Sequence, residues 1–206
     1  MKFNRHSEFE DTHAFFSPSQ PYWLNYDKEK LIRAWDNRDA QNKGTRLHAL
    51  VAEMIRCYKL YGTPSPEDFV DDTFGLYFRD ACHFWMEPEV TLVYSDICYG
   101  HADTIQFYEN ERLLRIHDLK TGSTPAKFLQ LETYAAQFFA EYGEHILWKY
   151  GIPVEDCNIE LRIYQANDIQ IENPSNAYIL NEITGLIREK HTWLSEELDR
   201  RSGVIL

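Results

Sequence analysis

Apolar residues recur along this chain with two different periods, and the change from one to the other divides it into elements. Ser17-Pro18-Ser19-Gln20-Pro21 carries proline and helix-start signals, and Asp27 is placed to cap a helix running through Trp35. From Gly44 onward Leu47, Leu50, Val51, Met54, Ile55 and Tyr58 repeat at helical spacing until Gly62-Thr63-Pro64 stops them. A further helix is expected over 67–82, with Phe69, Val70, Phe74, Leu76, Tyr77 and Phe78 as its aromatic stripe. The period then falls to two, which predicts strands over 89–94, 101–108 and 113–119. Helical spacing returns after Thr124-Pro125, where Phe128, Leu131, Ala135, Phe138 and Tyr142 predict a helix reaching about Tyr142. A strand over 159–165 and a helix over 177–198 close the chain. A meander of three strands, then helix, strand and helix, describes an α/β protein with a central sheet flanked by helices.

The second and third strands carry the first chemical clue. A turn centred on Asn110-Glu111 sets Ile105 opposite Ile116, Phe107 opposite Leu114 and Asp103 opposite Asp118. Two opposed carboxylates, with Cβ atoms about 5 Å apart, repel unless a cation binds or a pKa rises. Lys120 lies two residues past Asp118 and points the same way. Two acids and a lysine on one face can hold a divalent ion and steer a water.

Composition narrows the field. A length of 206 residues and 44% hydrophobic content suit one compact domain with a real core. No secretory signal and no membrane-spanning run are seen, so a soluble cytoplasmic protein is expected. Cys57, Cys82, Cys98 and Cys157 lack C-x-x-C spacing, which points to reduced, buried thiols. The formal net charge of −12 argues against coating nucleic acid by bulk attraction, although a metal site neutralises acids locally. Lys28, Lys30, Arg33, Arg38, Lys43 and Arg46 form a locally basic stretch, which also reads as an ordinary solvated helix face.

Four short motifs occur in order: Gly44-Thr45-Arg46-Leu47-His48, Gly100-His101-Ala102-Asp103, Asp118-Leu119-Lys120-Thr121-Gly122 and Gln130-Leu131-Glu132-Thr133-Tyr134. With them the chain resembles the PD-(D/E)XK nuclease superfamily, in its RecB-like exonuclease branch. The resemblance implies a restriction-endonuclease-like core over 44–175, an N-terminal helical or irregular extension over 1–43 and a C-terminal helix over 176–206. It implies catalysis by Asp103, Asp118 and Lys120, and metal ligation by His48, Asp103, Asp118 and the main-chain carbonyl of Leu119. Mg2+ or Mn2+ would be the cofactor, since oxygen ligands suit magnesium and an imidazole admits manganese. Gln130 and Tyr134, four apart on one helix face, would support the site or touch substrate. Some relatives carry an iron–sulfur cluster with three cysteines near the chain end; no cysteine follows Cys157, so no cluster is expected.

The implied function is metal-dependent hydrolysis of DNA, as an exonuclease. The alternatives are a structure-specific endonuclease, a non-catalytic nucleic-acid-binding subunit that keeps the fold, and a metal hydrolase of a non-nucleic substrate. DNA is the expected partner, with a helicase, an annealing or single-strand-binding protein, or further copies of the chain as possible companions. Glu53 and Glu89 are candidate extra ligands that read better as surface or strand-edge acids. Tyr22, Trp23, Tyr26 and Trp35 are candidates for stacking unpaired bases, with core packing the expectation for at least two of them.

Overall fold

A computed structural model describes residues 1–4, 6–9, 14–36, 46–121 and 125–202. Among the described residues five α-helices, α1 (Lys28–Asp36), α2 (Arg46–Tyr61), α3 (Thr73–His83), α4 (Leu129–Tyr150) and α5 (Thr184–Ser202), surround one sheet. Its strands are β1 (Glu87–Ser95), β2 (Cys98–Tyr108), β3 (Leu113–Leu119), β4 (Asn158–Gln165) and β5 (Asp168–Glu172), ordered in space as in sequence. β1, β2 and β3 form an antiparallel meander, α4 carries the chain over to β4 parallel to β3, and β5 returns antiparallel. The result is an α/β protein with a five-stranded mixed sheet flanked by helices.

The hairpin of β2 and β3 takes the register expected from its alternation, with Ile105 opposite Ile116 and Phe107 opposite Leu114. Two clusters of buried side chains cover the sheet. Leu114, Ile116, Leu161 and Ile163 pack with Leu131, Tyr134, Ala135 and Phe138 of α4. Leu119 and Tyr164, one residue out of phase and so on the other face, pack with Val51 and Ile55 of α2 and Tyr77 and Phe78 of α3.

Several boundaries differ from expectation for local reasons. The helix expected over 67–82 is a short 3-10 turn, Pro66–Asp68, followed by α3, because Asp72 caps the later start by accepting from the Gly75 N–H at 2.7 Å. Gly75 is required there: a Cβ would come within 2.0 Å of the Val70 carbonyl oxygen. α4 starts at Leu129 and runs past Tyr142 to Tyr150, where Gly151 ends it in the left-handed conformation. The last helix opens with a π-helical stretch, Tyr178–Ile183. β5 was not anticipated at all; Ala166 and Asn167, both at positive φ, make the two-residue turn that leads into it.

The N-terminal region belongs to the main core. Phe16, Trp23, Leu24 and Leu31 are buried there, and the Trp23 indole donates to the Ser17 carbonyl. That fixes Trp23 as a packing residue and removes it from the candidates for base stacking. Trp35 packs edge-on against Phe15, and Tyr26 lies under Lys30, while Tyr22 stays exposed. Arg38, Lys43, Gly44, Thr45, Gly122 and Thr124 lie outside the described residues. No helix among the described residues is long and apolar enough to cross a membrane.

Candidate metal centre

The hairpin ends where its acids begin. β2 and β3 pair as far as Thr104 and His117, and the next positions along the two strands are Asp103 and Asp118. β1 continues the arrangement on the other side of β2: its register sets Glu89 beside Asp103, between the paired positions Pro88–Thr104 and Val90–Ala102. Glu89 sits at φ 51°, a left-handed conformation that a strand residue with a side chain rarely takes. Ala102 and Ile105 both join the α4-side core, so strict alternation also slips across Asp103 and Thr104. The distortion brings Glu89 and Asp103 together with His48 from the first turn of α2, their potential ligand atoms within 4.8 Å of one another.

Each side chain has a defined partner. His48 Nδ1 lies 3.0 Å from Asp103 Oδ1, and Asp103 Oδ2 accepts the Leu119 N–H at 2.9 Å, tying β2 to the end of β3. Asp118, with a side chain 3% exposed, faces Lys120, whose Nζ is 3.1 Å from Oδ1 and 2.9 Å from Oδ2. Only the Oδ1 contact has hydrogen-bond alignment; Oδ2 is buried and held by proximity of charge. Gln130 Oε1, from the first turn of α4, accepts from the same ammonium at 2.7 Å. One turn on, the Tyr134 hydroxyl donates to the His101 carbonyl. Gly100 lets this corner close, since a Cβ there would lie 2.5 Å from Pro18 and 3.1 Å from the Tyr134 ring. The Lys120 N–H is held by the Tyr164 carbonyl of β4 at 2.9 Å.

The acids strain one another. Burial, reinforced by the charge of Asp103, pushes Glu89 up to about 7 and Asp118 up to about 6, the latter against the pull of Lys120. His48 is raised by its hydrogen bond to Asp103, which outweighs burial. Three carboxylates therefore share a site with one lysine and one imidazole. The donor set suits a small divalent ion: hard carboxylate oxygens with a single imidazole fit magnesium, and fit manganese better.

The structure thus gathers His48, Asp103, Asp118, Leu119, Lys120, Gln130 and Tyr134 at one end of the sheet. It does so in two sub-groups. His48, Asp103 and Glu89 form the compact set, and Asp118 is joined to Lys120 and Gln130. Glu89 is the residue that sequence reasoning set aside. Its signal was an acid at the head of the apolar run that starts at Val90, but the backbone twist that turns it inward has no local sequence mark. Glu53 remains a surface residue on α2, beside Arg56. Comparison of the chain with protein-family models, with curated proteins and with solved structures finds no match.

Proposed function

We propose that this chain is a divalent-metal-dependent DNA nuclease of the PD-(D/E)XK type, acting as an exonuclease. The observation that carries the reading is the meeting of Asp103, Asp118 and Lys120 at the end of one hairpin, with His48 and Glu89 from flanking elements. A bound Mg2+ or Mn2+ supplies Lewis acidity and a water of lowered pKa. His48, Glu89 and Asp103 would hold the ion, and Asp118 would add a further carboxylate. Lys120, steered by Gln130, presents its amine to the attacking water and offsets negative charge growing on the phosphate. Tyr134 fixes the strand that carries Asp103.

The overall charge of −12 works against DNA binding at long range, so contact depends on the ion and on local cations. Lys28, Lys30 and Arg33 of α1 are exposed cations. The test uses end-labelled linear and circular DNA, single- and double-stranded, with Mn2+ or Mg2+. Wild-type protein should shorten linear DNA from its ends, and Asp118→Ala and Lys120→Ala should each lose that activity while keeping a native melting transition. Wild-type rates in both variants would remove the mechanism. Metal-dependent binding of DNA ends without turnover would favour a non-catalytic subunit. Hydrolysis of another substrate that DNA does not inhibit would favour a non-nucleic hydrolase.

A further inference from the structure

The two sub-groups of the centre differ in how ready they are for a cation, and the difference assigns Lys120 a second task. In the His48, Glu89 and Asp103 set the ligand atoms already converge. Asp118 stands apart from that set, and both of its oxygens lie against one ammonium, at 3.1 and 2.9 Å. An ion that takes an oxygen from Asp118 competes with this ammonium for the same carboxylate charge. The ammonium is not stranded when this happens, since Gln130 Oε1 holds it at 2.7 Å from the α4 side. Lys120 is also the more accessible member, its side chain 29% exposed against 3% for Asp118.

From this geometry we infer that Lys120 is the internal counter-ion of Asp118 and exchanges with the divalent ion for it, with Gln130 receiving the displaced amine. Filling the centre then does two things in one step. It recruits Asp118 to the ion, and it turns the lysine from a salt-bridge partner into a group available to a water beside the metal. The lysine is withheld until an ion is present. The inference rests on the metal-centre reading above, and its test reads metal affinity, so the two can fail separately.

The experiment is a double-mutant cycle read by calorimetric titration with Mn2+ alone, at about pH 8, where carboxylates of this kind are ionised. The four proteins are wild type, Lys120→Met, Asp118→Asn and the double variant, with circular dichroism as the check on folding. Lys120→Gln serves as a polar substitute should Lys120→Met not fold. Removing the lysine from the wild-type background should tighten Mn2+ binding by roughly five- to tenfold, the size of one charge-assisted contact given up. In the Asp118→Asn background the same change should alter affinity by less than about twofold. An equal gain in both backgrounds would mean simple long-range repulsion and would overturn the exchange. So would no gain, a loss of affinity, or failure of the wild-type chain to bind Mn2+. DNA cleavage by wild type is scored separately. A coupled cycle without cleavage keeps the exchange and removes the nuclease reading, and cleavage with an uncoupled cycle does the reverse.

Discussion

On the α3 side of β3 and β4, Arg115, Arg162, Glu160 and Asp80 interlock around the ring of Phe84, whereas on β1, β2 and the end of β3 Glu89, Asp103 and Asp118 crowd a single lysine and an imidazole. Arg115 and Arg162 both bond Glu160, at 2.6 and 2.7 Å, and Arg162 also reaches Asp80 at 2.7 Å. Both guanidiniums lie over Phe84, and the Tyr164 hydroxyl donates to Asp80. Two acids meet two permanent cations, so although burial alone would raise Glu160, its arginines bring it below the usual carboxylate range. At the candidate metal centre the balance is reversed, and Glu89 and Asp118 sit above that range. One assembly closes on itself; the other is left short of positive charge, which is the basis of the proposed ion site.

The largest test of this contrast removes a cation from the closed assembly. Arg162→Met leaves Asp80 and Glu160 without their shared partner and should cost about 3 kcal/mol in urea unfolding, the usual scale for breaking a partly buried ion pair. A cost under about 1 kcal/mol would show the network to be surface-like and the comparison mistaken.

The second test is the dependence on pH, where the two regions pull in opposite directions. Glu89 and Asp118 have folded-state pKa values raised above their unfolded ones, so their contribution is full below about pH 4 and is lost as pH rises through about 6 and 7. Glu160 has a lowered value and contributes above about pH 4, losing its share as pH falls. His117, buried in the closed assembly and lowered by that burial first, likewise loses stability as pH falls below about 6.5. Wild type therefore has to be compared with Glu89→Gln/Asp118→Asn. In chelator the double variant should melt higher than wild type, by a margin that grows to about 2 kcal/mol between about pH 5 and about pH 8. Adding Mn2+ should raise wild type alone and narrow the gap, because only it keeps the full ligand set. A gap independent of both pH and metal would contradict the electrostatic account. Taken singly, Glu89→Gln should gain about 1 kcal/mol, a stability increase at the expense of function.

The same two regions show what could be read from the chain alone. The hairpin register was legible because a turn centred on Asn110-Glu111 and the alternation of Ile105, Phe107, Leu114 and Ile116 agree on one pairing, and that pairing places Asp103 and Asp118 at its end. The arginine network was not, since Arg115 and Glu160 are distant in sequence and meet only when α4 brings β4 alongside β3. Glu89 escaped because left-handed backbone inside a strand is imposed by neighbours rather than by its own residue type. The start of α3 was misread because Phe69 and Val70 extend a helical apolar pattern, yet Val70 is exposed and the Asp72 cap decides the boundary. β5, in contrast, had a readable signal in the alternation of Asp-Ile-Gln-Ile-Glu after a turn containing asparagine.

The smallest effect concerns how firmly the open centre is held by the closed scaffold around it. Tyr134 is buried on α4, and its hydroxyl donates to the His101 carbonyl two residues before Asp103. Burial keeps that phenol neutral, its pKa well above the ordinary tyrosine value, so its proton stays available to the His101 carbonyl. Tyr134→Phe keeps the ring against Gly100 and Pro18 and removes one hydrogen bond, which should cost about 0.5–1 kcal/mol of stability. Because the bond is to the strand carrying Asp103 and not to the ion, Mn2+ affinity should fall by no more than about threefold, with a similar fall in the DNA cleavage rate. A large loss of cleavage with unchanged stability and metal affinity would instead place the hydroxyl on the substrate. In that case Tyr134 would belong with Lys120 among the groups proposed to act on the phosphate, and the boundary between scaffold and centre would run through α4.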